Sequence, residues 1–375
     1  MKVLMINLPY YGHVIPTIGL VQELIKQGCE VSYLMPFDWE SVVKESGATF
    51  IGYENHKQLA EQMKNARKVV EEIIEDYDFI LYEQFFFIGK HLAKKYHKPC
   101  ARIFTAPSTN KTLMNEFTSS GPLKLFNIKW ISKGFTKDVA KGLELKTDNW
   151  LDEIIDNPPE LNLVYTLSEY QPYREDFSDD LFKFIGPSIY ERKTESIDFK
   201  KTNRPLIYIS LGTVVKGATK FFQMCIDTFR DEDIDVIISV GKQFDLNKLK
   251  KVPSNIHVYP YVNQIEVLKM ADVFVTHGGM NSVSEAFVSN TPMVVIPFAS
   301  DQHVNARNIE KMNLGKHLLY ENVTSKNLKE AVMYLLHDSN IKDNYQEVQD
   351  WIEKAPGNQG AAKMIIQYYD KQKSH

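Results

Sequence analysis

Short apolar runs alternate with longer amphipathic stretches from one end of the chain to the other. The runs at residues 3–8, 31–35, 79–83, 100–104 and 163–167 are rich in β-branched and aromatic side chains and are short enough to be buried strands. Between them the apolar positions recur at helical spacing, for instance over 16–27 and 89–96. The cycle restarts at 206–211, 236–240, 256–259, 273–276 and 293–297. Strands alternating with helices predict parallel sheets with helical crossovers, an α/β fold. Two such series predict two Rossmann-like domains. The run SIDFKKTNRP at 196–205 has no periodicity and ends in proline, so it divides a domain over 1–200 from one over 201–355. After Pro356 a last helix is predicted, and Ala361, Met364, Ile365 and Tyr368 on it need a surface to cover. Open parallel sheets bind ligands beyond the carboxyl ends of their strands, so two facing domains would line an interdomain cleft with their strand-to-helix loops.

At 375 residues the chain is long for one domain, and 43% hydrophobic with 25% charged residues is enough for two cores. The net charge of −4 gives nucleic-acid binding no global electrostatic support. Cys29, Cys100 and Cys225 are scattered, odd in number and in no metal-ligand spacing. The N-terminal MKVLMINLP is too short an apolar run for a signal peptide, and a cytoplasmic protein is expected.

Candidate chemistry lies at the carboxyl ends of the predicted strands. His277-Gly278-Gly279 forms a turn between the strand 273–276 and a helix starting at Met280. Glycines let a backbone approach phosphate closely, and the helix N-terminus supplies free amides and a positive dipole end. The spacing is not GxGxxG, so a dinucleotide fingerprint fits less well than a diphosphate. Ser282-x-x-Glu285 spells a helix capping box as well as a place for a polar ligand. Asp301-Gln302 follows the strand 293–297, and a carboxylate beside a carboxamide suits adjacent sugar hydroxyls. Tyr261 offers a flat face, and Asn263-x-x-Glu266 reads as a helix start.

In the first half, Tyr11-Gly12-His13-Val14-Ile15-Pro16 follows the first strand. This places His13 on a loop, with Pro16 at the first position of the helix. An imidazole there titrates near neutrality and suits a general base, although a lone loop histidine is more often a surface residue.

Taken together, 257–315 and 11–16 closely resemble the signatures of UDP-dependent family 1 glycosyltransferases of the GT-B fold, macrolide-glycosyltransferase-like group. The resemblance implies an inverting, metal-independent hexosyltransferase without a cofactor, whose co-substrate is a UDP-sugar and whose acceptor is a hydroxyl of a small hydrophobic molecule such as a macrolide, polyketide or phenol. It implies His13 as the base that activates the acceptor. In the family an aspartate orients that base, and here the strand 79–82 ends in Glu83, one carbon longer. Either the backbone retreats to fit Glu83 or the pair is weakened. For the donor, the resemblance implies a site built from Ser210, Gly212, Thr213, Tyr261, Val262, Gln264, His277, Gly279, Met280, Asn281, Ser282, Glu285, Asp301 and Gln302. Within that set His277, Asn281 and Ser282 would hold the diphosphate, Glu285 the ribose, Tyr261 the uracil, and Asp301 with Gln302 the sugar, for which Gln302 suggests glucose. The last helix, 356–375, would pack back on the N-terminal domain.

Two other readings stay open at this level: a non-catalytic nucleotide-binding homologue, and a lipid glycosyltransferase at a membrane surface. The second rests on Lys129, Lys133, Lys137 and Lys141, which recur every four residues beside Ile128, Ile131, Phe135 and Val139. Such a helix also suits covering a core. Asp231-Glu232-Asp233 matches the metal motif of the other large glycosyltransferase fold, but it precedes a strand and so lies at the wrong end of its sheet.

Overall fold

A computed structural model describes residues 1–119, 122–190, 197–212, 218–299 and 301–374. The chain divides into two compact units, Met1–Tyr190 with Ala355–His375, and Glu191–Lys354. Among the described residues the first unit holds seven strands, β1 Lys2–Ile6, β2 Glu30–Pro36, β3 Thr49–Tyr53, β4 Phe79–Glu83, β5 Cys100–Phe104, β6 Asn162–Val164 and β7 Phe182–Phe184. Their order is β3-β2-β1-β4-β5-β6-β7, with every pairing parallel. The second unit repeats the scheme with β8 Leu206–Ser210, β9 Asp235–Ser239, β10 Ile256–Tyr259, β11 Val273–Thr276, β12 Met293–Val295 and β13 Gly315–His317, in the order β10-β9-β8-β11-β12-β13. Its pairings are also all parallel. Both sheets are thus doubly wound α/β sheets of Rossmann type.

The central strands read as near-continuous apolar runs because both of their faces are covered. Phe79, Ile80 and Leu81 of β4 have no exposed surface, nor have Val273, Phe274 and Val275 of β11. In the first unit one core packs Val14, Ile18 and Val21 of the first helix, Tyr11–Lys26, with Ala361, Ala362 and Ile365 of the last helix, Gly357–Lys373. Contact there is close. A Cβ at Gly19 would come within 2.3 Å of the Asn358 side chain, so only glycine fits without a shift.

The other face of that sheet is covered in part by aromatic side chains. Phe126 and Phe135 lie 5.1 and 5.2 Å from Trp150, which is fully buried. The helix Lys129–Val139 turns Ser132, Thr136 and Val139 inward, and Lys133 pairs with Asp148 at 2.5 Å. Among the described residues no helix is long and apolar enough to cross a membrane. At Asp231-Glu232-Asp233, Glu232 pairs with Lys329 at 2.5 Å.

Candidate functional site

In each sheet the strand order reverses beside the first strand, between β1 and β4 in one unit and between β8 and β11 in the other. At such a point the chains leave neighbouring strands in opposite directions and open a crevice beyond the carboxyl ends. His13 and Glu83 lie at the first of these points and Ser210, Gly212 and residues 277–282 at the second, while Tyr261, Val262 and Gln264 follow β10 and Asp301 and Gln302 follow β12. Ile6 pairs with Tyr82, so the segments leading to His13 and to Glu83 leave their strands at one level. Thr276 likewise pairs with Ser210, bringing the turns 277–279 and 210–212 side by side.

In the first unit, His13 Nδ1 lies 3.0 Å from Glu83 Oε1. Glu83 has no exposed surface, whereas the histidine side chain keeps 23% of its own. The second carboxylate oxygen accepts from the Phe85 backbone N–H at 3.0 Å, which fixes the carboxylate. At 3.0 Å the imidazole nitrogen and the carboxylate oxygen are within hydrogen-bonding distance of each other. The rings of Tyr10 and Phe85 stand 5.5 and 5.4 Å from the imidazole. The helix begins at Tyr11, not at Pro16, so His13 is its third residue rather than a loop residue, and Pro16 lies inside the helix. The proline is tolerated because the carbonyl it deprives of a donor belongs to Gly12, which is exposed to water.

In the second unit, His277 is 8% exposed and its ring is wedged between two glycines. A Cβ at Gly212 would meet the ring at 2.6 Å, and one at Gly279 at 2.7 Å. Desolvation pushes the imidazole down to about 4, so at neutral pH it is uncharged and offers one N–H and one lone pair. The turn is held from both sides. Asn305 Nδ2 donates to the Gly278 carbonyl at 2.9 Å, and Thr276 Oγ1 accepts from the Gly278 N–H at 3.3 Å.

The helix Met280–Val288 starts with Gly279 as its N-cap. Ser282 is therefore the third helical residue, and the capping-box reading of Ser282 with Glu285 is overturned. Glu285 instead accepts from Gln264 Nε2 at 2.6 Å, and the same nitrogen lies 3.2 Å from Ser282 Oγ. Gln264 Oε1 accepts from the Tyr208 hydroxyl at 3.3 Å. Tyr208 was not singled out in the sequence; its ring stacks on Phe274 at 4.9 Å, and inside a strand it is indistinguishable from a core tyrosine. Asn263 is the N-cap of the helix Gln264–Leu268, but its side chain does not make the cap bond.

Tyr261 is half-buried and carries the Lys242 ammonium over its ring, 4.7 Å from the centroid. The Val262 and Met280 side chains are buried, and Asn281 is partly exposed. β12 ends at Val295, earlier than expected, and Asp301 opens the helix Asp301–Lys311 instead of lying in a loop. Gln302 Oε1 accepts from the backbone N–H groups of Phe298 and Ala299 at 2.8 and 3.2 Å. Ser210 Oγ accepts from Gly212 N at 3.4 Å. Thr213 lies outside the described residues.

The second unit carries a family signature over nearly all of its length. The model of the family described as "UDP-glucoronosyl and UDP-glucosyl transferase" matches residues 190–353. Along almost the whole chain the protein is similar to NDP-glycosyltransferase YjiC of Bacillus licheniformis, 32% identical over 96% of this chain and 95% of that one. The YjiC of Bacillus subtilis is 33% identical over 98% and 97%. Among solved structures, the glycotransferase of kitacinnamycin superposes with a TM-score of 0.84 over 98% of this chain and 99% of the other, at 24% identity, a likeness of fold.

Proposed function

From the premise that this chain belongs to the UDP-glucoronosyl and UDP-glucosyl transferase family and is a UDP-glycosyltransferase of GT-B fold, we propose a finer reading of its reaction. It transfers glucose from UDP-α-glucose to a hydroxyl of a small hydrophobic acceptor, such as a phenol, a polyketide or a macrolide, and inverts the anomeric centre. The observation that carries this is the buried Glu83 carboxylate 3.0 Å from His13 Nδ1. A carboxylate only accepts, so it favours the tautomer with the proton on Nδ1 and leaves the Nε2 lone pair as the base.

His13 Nε2 takes the acceptor proton as the acceptor oxygen bonds to the anomeric carbon. The bond from that carbon to the diphosphate oxygen breaks, and UDP leaves with the electron pair. Glu83 stabilises the imidazolium without itself taking the proton. In the second unit the first backbone N–H groups of the helix Met280–Val288 have no intrahelical partner and meet the departing charge, with His277 adding a neutral donor. Ser282 and Asn281 support the diphosphate, Glu285 the ribose hydroxyls and Tyr261 the uracil. For the uracil to stack on its Lys242-covered face, the ammonium must swing aside. Asp301 and Gln302 hold the hexose, Gln302 through its amide nitrogen because its oxygen is bonded to the loop. Donor charge is met by amides and a helix end, so the reaction is proposed to run without a divalent ion.

The test is product detection with UDP-glucose and UDP-N-acetylglucosamine against a panel of phenols and macrolides, with His13→Ala beside the parent. The variant is expected to lose on the order of 100- to 10,000-fold in turnover while its affinity for UDP stays close to that of the parent. Retention of most activity would remove His13 as the base, and preference for the amino sugar would overturn the glucose assignment. Turnover is expected to persist in excess EDTA, and complete inhibition reversed by added metal would overturn metal independence.

A further inference from the structure

Three polar side chains next to His13 have no exposed surface and no part in the reaction above: Asn7, Thr17 and Tyr33. Asn7 directly follows β1, Tyr33 lies in β2, and Thr17 sits in the first helix. Burying a carboxamide and two hydroxyls is costly unless each is hydrogen-bonded. Here they bond to one another and to the turn that carries His13. Asn7 Nδ2 donates to the His13 carbonyl at 2.8 Å and to the Tyr33 hydroxyl at 3.0 Å, and Asn7 Oδ1 accepts from Leu8 N at 2.7 Å. Thr17 Oγ1 donates to the Val14 carbonyl at 2.7 Å and lies 2.7 Å from the Tyr33 hydroxyl.

Proton counting gives this chain a direction. The single Thr17 proton goes to Val14, because a carbonyl only accepts. Tyr33 must then donate to Thr17 and accept from Asn7. Burial pushes the Tyr33 hydroxyl well above its ordinary range, so that proton stays in place. Both amide protons of Asn7 and both hydroxyl protons are used, and the two ends of the chain are the carbonyls of His13 and Val14.

This turn lacks one backbone hydrogen bond. Pro16 has no N–H for the Gly12 carbonyl, and its ring crowds that group. The side chains bond the next two carbonyls, those of His13 and Val14. They also tie the turn to β1, the direct neighbour of the strand that ends in Glu83.

We propose that Asn7, Tyr33 and Thr17 are positioning residues for His13, holding its backbone so that Nδ1 stays on Glu83 and Nε2 stays directed at the acceptor. The inference rests on His13 being the base, and none of the three touches substrate. A displacement of about 1 Å at a reacting group costs roughly 100-fold in rate, so a small shift of this turn registers in turnover.

Asn7→Leu keeps the shape and removes every hydrogen bond; Tyr33→Phe breaks only the middle link. For Asn7→Leu we expect kcat with saturating UDP-glucose to fall roughly 10- to 100-fold, while KM for UDP-glucose changes by less than about two-fold, and for Tyr33→Phe a smaller fall in the same direction. In parallel, ¹⁵N NMR of histidine-labelled protein, with His13 assigned by comparison with His13→Ala, reads the imidazole without any reaction. The parent should show one neutral tautomer with Nδ1 protonated, and Asn7→Leu should show averaging of the two. If His13→Ala keeps full activity, the base reading fails, and the NMR result still tells whether Asn7 holds the ring. Unchanged kcat, or lowered kcat with unmoved His13 signals, overturns the positioning role, and so does a lowered melting temperature with turnover intact. Should Asn7→Leu fail to fold, Tyr33→Phe carries the same test.

Discussion

An aspartate at position 83 would stop about 1.5 Å, one carbon–carbon bond, short of where Glu83 places its carboxylate. That extra reach is fully used, because one oxygen meets His13 and the other the Phe85 N–H, each at 3.0 Å. Glu83→Asp is therefore expected to lower kcat about 10- to 100-fold, and a rate equal to the parent's would mean that β4 shifts to compensate. Glu83→Gln keeps the size and the fold but cannot stabilise imidazolium, and turnover should fall on the order of 100-fold with little change in melting temperature. His277 makes a prediction about stability. Its folded pKa of about 4 lies below the unfolded value of 6.5, so between those values the unfolded chain binds more protons. Stability is complete above 6.5 and is lost as pH falls toward 4, by on the order of 3 kcal/mol. Denaturant titrations of His277→Asn at pH 7 and pH 4 should show a smaller difference than the parent does. His13 and Glu83 were legible in the sequence because a motif marks one and a strand end the other. Asn7 and Tyr33 were not, since their partnership joins the residue after β1 to β2 across 26 residues and leaves no spacing to read.

At the level of elements, the central strands were legible from their apolar runs, with ends correct to within three residues. The strands that escaped notice, β3, β7 and β13, all lie at sheet edges. An edge strand is covered less and paired on one side, so it needs neither length nor a continuous apolar run. β7 and β13 have three residues each, and β3 carries Gly52 and is half-buried for most of its length. The first helix was misjudged for a different reason: proline favours a helix start, and only the structure shows that Gly12, whose carbonyl loses its donor, is an exposed residue. Two glycines at these turns should respond differently. A Cβ at Gly12 meets nothing within 4 Å, so Gly12→Ala should leave stability within about 0.5 kcal/mol. Gly212 has φ +69°, and its Cβ would strike the His277 ring. Gly212→Ala should destabilise by about 1–3 kcal/mol and weaken UDP binding, as calorimetry on the folded variant would show.

Over the whole molecule, two similar sheets were foreseeable from the repeated strand–helix cycle, while the membership of the last helix in the first core was not readable from periodicity alone. Ala361, Met364, Ile365 and Tyr368 announce an apolar face without naming what it covers. Ile365 is fully buried in the core that holds Val3, Val14 and Ile18. Ile365→Ala should cost about 2–5 kcal/mol, and hydrogen exchange should locate the added opening in β1 and the first helix, not in β8 or β11. Faster exchange in the second sheet instead would mean that the helix supports the other unit. The same membership sets an order in time. A ribosome adding about 5–20 residues per second needs on the order of ten to thirty seconds to make Glu191–Lys354 after Tyr190 has been added. Throughout that interval the first core lacks Ala361, Ala362 and Ile365, which have yet to be made. The unit made first is thus completed last, and in a cell the newborn chain shows a greasy strip to its surroundings until the final helix arrives to cover it.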